Sequence, residues 1–209
     1  DFLQNASHEL RTPLMSIQGY AEGLSNGIFT QSKETAELIA AESKRLNTLV
    51  EELLTLSRIE SGNVNVSLES VNLCDAMKDY IQRANGYALM EKKQIDLILE
   101  RSPLMVLVDE DLLFKAVYNV LTNAVKYAKT TITVTLTSDQ NQALILIEDD
   151  GDGIPEKDLP HVFKRFYKGK KGNFGLGLAI AKTSVEVMKG QIRASNKTGA
   201  LFEIRLPMQ

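Results

Sequence analysis

Leu144-Ile145-Leu146-Ile147-Glu148-Asp149-Asp150-Gly151-Asp152-Gly153-Ile154-Pro155 is the stretch on which the fold turns. Four aliphatic residues closing on Glu148 have the length and character of a buried strand. Three aspartates and two glycines follow at once. A carboxylate at a strand end is placed to accept a hydrogen bond from a ligand, such as the exocyclic amine of adenine. Gly151 and Gly153 permit close backbone approach and dihedrals that other residues avoid. A calcium loop needs a longer run of ligands closing on glutamate, and Pro155 interrupts it.

Two further segments flank this one. Upstream, Asn119-Val120-Leu121-Thr122-Asn123-Ala124-Val125-Lys126-Tyr127 lies on an expected helix from about Glu110 to Ala128. Asn119, Asn123 and Lys126 share one face at i, i+4 and i+7. Amide oxygens suit Mg²⁺, which takes hard oxygen ligands and keeps its waters. Lys126 offers a point charge to phosphate oxygens, and Tyr127 can lie against a base. Downstream, Gly172-Asn173-Phe174-Gly175-Leu176-Gly177-Leu178 opens a helix expected over Leu176 to Met188. Glycines before a helix let backbone N–H groups and the helix dipole meet phosphates. Gly175-Leu176-Gly177 lacks the third glycine of a dinucleotide fingerprint and opens no βαβ unit.

The remaining pattern around these segments is mixed. A helix is expected from about Leu73 to Met90, with strands near Ile95–Leu99, Met105–Val108, Thr131–Leu136, Gln191–Ala194 and Leu201–Leu206. Helices mixed with hairpin-like strand pairs predict an α/β sandwich with its helices on one face. The first sixty residues differ. Leu3, Leu10, Ile17 and Leu24 recur every seven residues, with Ala6, Pro13 and Tyr20 as a companion row. Ile39, Leu46 and Leu53, with Leu49 and Leu56 beside them, make a second run. Asn26 to Ser32 has turn chemistry and no period, so two helices form a hairpin, and Gly62 is available to end the second in a left-handed cap. One hairpin has a narrow core. Two hairpins paired as a four-helix bundle bury both seams, which predicts a homodimer. The expected domains are 1–66 and 67–209, with a linker near 62–68.

With Leu3 at position a, His8 falls at f, facing solvent. Glu9 can take the Nδ1 proton or orient the ring, leaving Nε2 as nucleophile. Thr12 lies one turn along the same face. Pro13 has no N–H and its ring meets the carbonyl of Glu9, which makes a hinge beside His8.

Ser7-His8-Glu9-Leu10-Arg11-Thr12-Pro13-Leu14 resembles the H-box of sensor histidine kinases, in the subclass that phosphorylates a histidine on the dimerisation helix. The helix bearing Asn119 and Asn123, the loop 149–153, Phe163-Lys164-Arg165-Phe166-Tyr167-Lys168 and the glycines at 175 and 177 resemble the N, G1, F and G2 boxes of that family, in order. The resemblance covers nearly the whole chain. It implies the ATP-binding α/β sandwich shared with the chaperone, gyrase and mismatch-repair ATPases, the GHKL or Bergerat type. It makes His8 the phosphoacceptor, Glu9 its acid/base partner and Thr12 the residue that supports phosphatase activity. It gives Mg²⁺ to Asn123, with Asn119 and Lys126 assisting at metal and phosphates. Tyr127 would line the base and Asp149 read adenine, with Gly151 and Gly153 shaping the pocket. Gly175, Leu176 and Gly177 would bring backbone donors to the phosphates. The implied partner is a response regulator.

Two departures stand out. The last box usually carries a hydroxyl where Asn173-Phe174 stands, and the lid between Tyr167 and Gly175 is short. Lys168, Lys170 and Lys171 offer that lid positive charge. Two other readings of the boxes are an ATP-binding scaffold without transfer and a hydrolytic ATPase. The latter needs a carboxylate on the helix where Asn119 and Asn123 are amides.

The composition bounds these readings. Lys and Arg total 24 against 27 Asp and Glu, for a net charge of -3. That balance does not favour nucleic acid as a partner. One cysteine permits no intrachain disulfide. No apolar run approaches the roughly 20 residues that span a bilayer. The chain opens on Asp1 within an expected helix, and is read as the cytoplasmic fragment of a longer, membrane-anchored protein.

Overall fold

The computed structural model describes residues 2–29, 31–62, 65–169, 172 and 174–208. It resolves into two compact units, 1–57 and 58–209.

The first unit is the helical hairpin. Helix α1 spans Phe2–Ser25 and runs through Pro13, which is buried, as are Ala6 and Gly23. Its end is set by Gly27 at φ 68. The amides of Gly27 and Ile28 donate to the carbonyls of Leu24 and Gly23. This is the Schellman arrangement, in which a left-handed glycine closes the last carbonyls. Helix α2 spans Ser32–Glu60 and stops at Gly62, also left-handed at φ 67. The heptad rows are buried unevenly. Ala6, Pro13, Leu49 and Leu56 are buried, whereas Leu10, Ile17, Ile39, Leu46 and Leu53 are half-buried and Leu3 is 78% exposed. Leu14, Met15, Leu38, Val50 and Leu54 are exposed as well. A single hairpin therefore satisfies only one strip of each helix.

The second unit is the α/β sandwich. Its strands are β1 (Glu69–Asn72), β2 (Gln94–Leu99), β3 (Met105–Val108), β4 (Thr131–Asp139), β5 (Gln142–Asp149), β6 (Gln191–Asn196) and β7 (Ala200–Pro207). Its helices are α3 (Leu73–Met90), α4 (Glu110–Tyr127) and α5 (Gly177–Val187). Five strands form one sheet in the order β2-β4-β5-β7-β6. Strand β2 runs parallel to β4, and the other neighbours are antiparallel. Strands β1 and β3 make a separate antiparallel ribbon. Ile132, Val134 and Leu136 of β4, Ile145 and Ile147 of β5, and Phe202, Ile204 and Leu206 of β7 are all buried. They stand in register, Ile147 opposite both Val134 and Phe202. Alternation with half-exposed neighbours assigns one face of the sheet to the core. Helix α4 covers that face with an eight-residue buried strip from Leu112 to Val125.

Local chemistry starts the helices. Asp109 caps α4, its Oδ1 accepting from the Leu112 amide at 3.0 Å. Glu110 and Asp111 follow in the first turn, where negative charge meets the positive end of the helix dipole. Asn72 caps α3 by accepting from the Cys74 amide at 3.2 Å. Expected helices and strands all appear, most within a residue or two of their limits. Strand β1 and a short 3₁₀ turn at Leu159–His161 were not anticipated. Glu-Ser-Val-Asn is too short and too polar to show a period, and β1 exists because β3 pairs with it.

Candidate functional site

His8 and Thr12 are exposed on α1, as their heptad positions require, and Glu9 is half-buried. The Thr12 hydroxyl donates to the carbonyl of His8 at 3.3 Å, a long and therefore weak bond. This leaves the imidazole approachable and the threonine free to turn.

In the second unit Asp149, Gly151 and Tyr127 meet at the end of β5, and Asn119 meets Gly177 at the start of α5. Asp149 is 2% exposed. Its Oδ1 accepts from the amides of Gly151 at 2.8 Å and Ala200 at 3.2 Å. Its Oδ2 is buried and has no hydrogen-bond partner. Burial pushes the carboxyl above its usual range, against the pull of those two amides. An acceptor atom withdrawn from water without a donor costs free energy unless a ligand supplies one. The exocyclic amine of adenine is a donor of the required kind.

The loop after Asp149 admits no side chain at its two glycines. A Cβ on Gly151 would lie 2.4 Å from the carbonyl oxygen of Tyr127, and Gly153 stands at φ 75. Tyr127 itself borders two parts of the site, since its hydroxyl would lie 2.7 Å from a Cβ on Gly169 at the start of the lid. Asn119, Asn123, Lys126 and Tyr127 are all half-exposed along one edge of α4. Asn119 donates from Nδ2 to the Lys115 carbonyl at 2.8 Å. Its Oδ1 would be 2.6 Å from a Cβ on Gly177. The first residue of α5 is thus a glycine because the Asn119 side chain fills the space. Gly175, at φ 72, receives the Phe166 amide on its carbonyl at 2.8 Å, so the F segment and the glycine segment close the base of the lid together. Leu176 is buried: its side chain belongs to the core, leaving only its backbone for a ligand. Lys168 is exposed. Lys170, Lys171 and Asn173 lie outside the described residues. Phe174, the departure from the usual hydroxyl, is buried.

Three neighbours of the loop, Thr130, Asn196 and Gly199, escaped the sequence reading. Asp150 does not face the pocket chemistry. It accepts from the amides of Lys129 at 2.7 Å and Thr130 at 2.9 Å and from the Thr130 hydroxyl. Partial burial opposes its ionisation, but those donors outweigh it and hold the carboxyl well below the usual range. Asn196 and Gly199, outside every motif and beyond the strand limits expected from sequence, press on the same loop from the β6–β7 side. Each is an isolated polar or small residue far away in sequence, which leaves no local signal.

Among the described residues no group of three or more His, Cys, Asp or Glu is arranged to hold a metal. The half-exposed amide of Asn123 offers one hard oxygen of the kind Mg²⁺ takes, the remaining ligands of such an ion being phosphate oxygens and water. No described helix is long and apolar enough to cross a membrane.

An exposed histidine on a helical hairpin, followed by a sandwich in which Asp149 keeps a buried carboxylate oxygen without a donor, fits a phosphoacceptor joined to a nucleotide-binding domain. Comparison with known proteins agrees. Residues 1–62 match the His Kinase A (phospho-acceptor) domain and residues 108–209 the histidine kinase-, DNA gyrase B- and HSP90-like ATPase domain. The chain belongs to the sensor histidine kinases. It is 36% identical to the sensor protein SrrB of Staphylococcus aureus over 99% of its own length, and spans 38% of that relative. The histidine kinase AdeS of Acinetobacter baumannii superposes with a TM-score of 0.82 at 26% identity, covering 97% of this chain and 98% of that one. Full-length ShkA, solved in complex with AMPPNP, superposes at 0.75 with 25% identity, covering 98% of this chain and 45% of that one.

Proposed function

We propose that the chain phosphorylates His8 from Mg·ATP and passes the phosphoryl group to an aspartate of a response regulator. Residues 1–66 act as the dimerisation and phosphotransfer hairpin and 67–209 as the ATP-binding domain. The observation that carries the reading is the buried, unpartnered Oδ2 of Asp149, which selects a ligand with a donor at that point. Gly151 and Gly153 keep the pocket wall thin, and Tyr127 flanks the base. Asn119 and Lys126 take the phosphates with Lys168 of the lid, and the backbone at Gly175, Leu176 and Gly177 donates to them. Mg²⁺ on Asn123 supplies charge neutralisation when bound. His8 Nε2 attacks the γ-phosphorus in line. The N–P bond forms as the bond to the β-phosphate oxygen breaks, and ADP leaves with the electron pair. Glu9 holds the Nδ1 proton and so favours the nucleophilic tautomer. Positioning and electrostatics supply most of such a barrier reduction. The phosphoramidate then yields its phosphoryl group to a carboxylate oxygen of the regulator. Thr12 supports the reverse service, hydrolysis of that acyl phosphate. Two chains pair through α1 and α2, and the whole resides on the cytoplasmic side of a membrane-anchored parent.

Incubation with γ-labelled ATP and Mg²⁺ tests the reading. Acid-labile, base-stable label that is absent from His8→Gln, with ATP affinity intact in that variant, is the expected result. Label that persists in His8→Gln places the acceptor elsewhere.

A further inference from the structure

The geometry points to Asn196 as a positioning residue for nucleotide binding. Asn196 is the last residue of β6 and belongs to none of the motif segments that the sequence reading assigned to ATP. Its side-chain amide nevertheless grips the loop that follows Asp149. The Ile154 amide donates to Asn196 Oδ1 at 2.7 Å, and Asn196 Nδ2 donates to the Ile154 carbonyl at 2.7 Å. One side chain thereby satisfies both main-chain groups of one residue, as a paired strand does in a ladder. Gly153 sits against the same amide, with a Cβ there only 2.9 Å from Oδ1.

The other end of the loop is held by the same hairpin. Asn196 pairs with Ala200 across the β6–β7 ladder, and the Ala200 amide donates to Asp149 Oδ1. Gly199 lies so close that a Cβ on it would be 2.3 Å from the Asp149 carbonyl oxygen. Lys197 and the Thr198 amide bind Glu148, one residue earlier. The hairpin thus clasps the loop at 148–149 and again at 153–154, and Asn196 makes the whole of the second grip. Without it, Gly153 and Ile154 lose their hold on the hairpin, although Lys129 still reaches Asp152 at 2.7 Å. Gly153, already in a conformation most residues avoid, then spans many backbone states. Ordering that segment becomes a cost of binding nucleotide rather than of folding.

This inference rests on the assignment of Asp149 to the base. In Asn196→Ala, the Kd of ATP by calorimetry and the KM for ATP in His8 labelling are expected to rise about tenfold, from two hydrogen bonds of modest net worth. The plateau rate at saturating ATP stays within about twofold, since the reacting atoms are untouched. Asn196→Asp keeps the acceptor but sets a carboxylate against the Ile154 carbonyl, and is expected to lose affinity to at least the same extent. If the alanine variant gives no cooperative thermal melt, the aspartate variant carries the test. An unchanged Kd, or a fallen plateau with unchanged KM, overturns the inference. Asp149→Asn run in parallel separates the two layers. ATP binding lost there but unchanged at position 196 removes this inference alone. Binding unchanged in both removes the base assignment and this inference with it.

Discussion

Gly177 and Asn119 share one space: a Cβ on the glycine would lie 2.6 Å from the asparagine Oδ1. The obstacle is the end of a flexible side chain, so Gly177→Ala turns Asn119 aside rather than moving α5. The bond to the Lys115 carbonyl is lost, at a cost of about 1 kcal/mol. Stability in urea changes little, while ATP affinity falls roughly tenfold because the amide no longer faces the nucleotide. In an Asn119→Ala background the same substitution should cost no further affinity. Additive losses in calorimetry would show that Gly177 acts independently of Asn119.

Asp149 predicts a trade between stability and function. Its carboxyl is raised by burial in the folded chain. The sign follows: stabilisation is full below the unfolded value of about 3.9 and is lost as pH rises through the folded value. Asn cannot ionise, so Asp149→Asn escapes that loss. Its melting temperature relative to the parent chain should therefore improve between pH 4 and pH 8. ATP binding at pH 8 should nonetheless disappear, because the acceptor aimed at the base has been replaced by a donor. A relative melting temperature independent of pH would mean that the buried carboxylate carries no such penalty.

These two cases show what the sequence could and could not announce. Helix α3 was legible to the residue, because Leu73 to Met90 carries a clear period. The acid-and-glycine loop and the α4 amides were visible because each set of polar groups sits within a short motif. Asn196, Gly199 and Thr130 were not. Asn196 reaches Ile154 across 42 residues, and an exposed asparagine at a strand end looks the same whether or not its amide holds anything. The heptads pointed correctly to a hairpin but not to which row its own partner helix would cover. That depends on helix rotation, and it made Leu49 and Leu56 the buried residues rather than Ile39, Leu46 and Leu53.

Thr12 separates the two reactions expected at His8. Its hydroxyl is engaged only with the His8 carbonyl, at 3.3 Å on an exposed face. Removing so weak a bond disturbs α1 little. Thr12→Ala should keep the parent rate of His8 labelling within about twofold, yet slow dephosphorylation of the phosphorylated regulator by an order of magnitude or more, the usual reach of a group that positions a reacting water. Equal dephosphorylation rates in the two chains would take Thr12 out of that reaction.

The exposed apolar residues of the hairpin set the last prediction. Leu38 and Leu54 are 48% and 50% exposed, and Leu3, Leu14, Met15 and Val50 join them. Such a surface is expensive to leave in water, since burying a leucine fully stabilises by about 1.5–3 kcal/mol. A second hairpin covers it with no new feature in the chain. Leu54→Glu would put an unpaired carboxylate into that seam, which favours the free chain over the pair. Sedimentation at micromolar concentration should show a dimer for the parent chain and a monomer for Leu38→Glu/Leu54→Glu. ATP affinity should be the same in both, because the nucleotide pocket is built wholly within residues 58–209. A variant that still sediments as a dimer would place the interface on another surface and leave the exposed seam for a different partner.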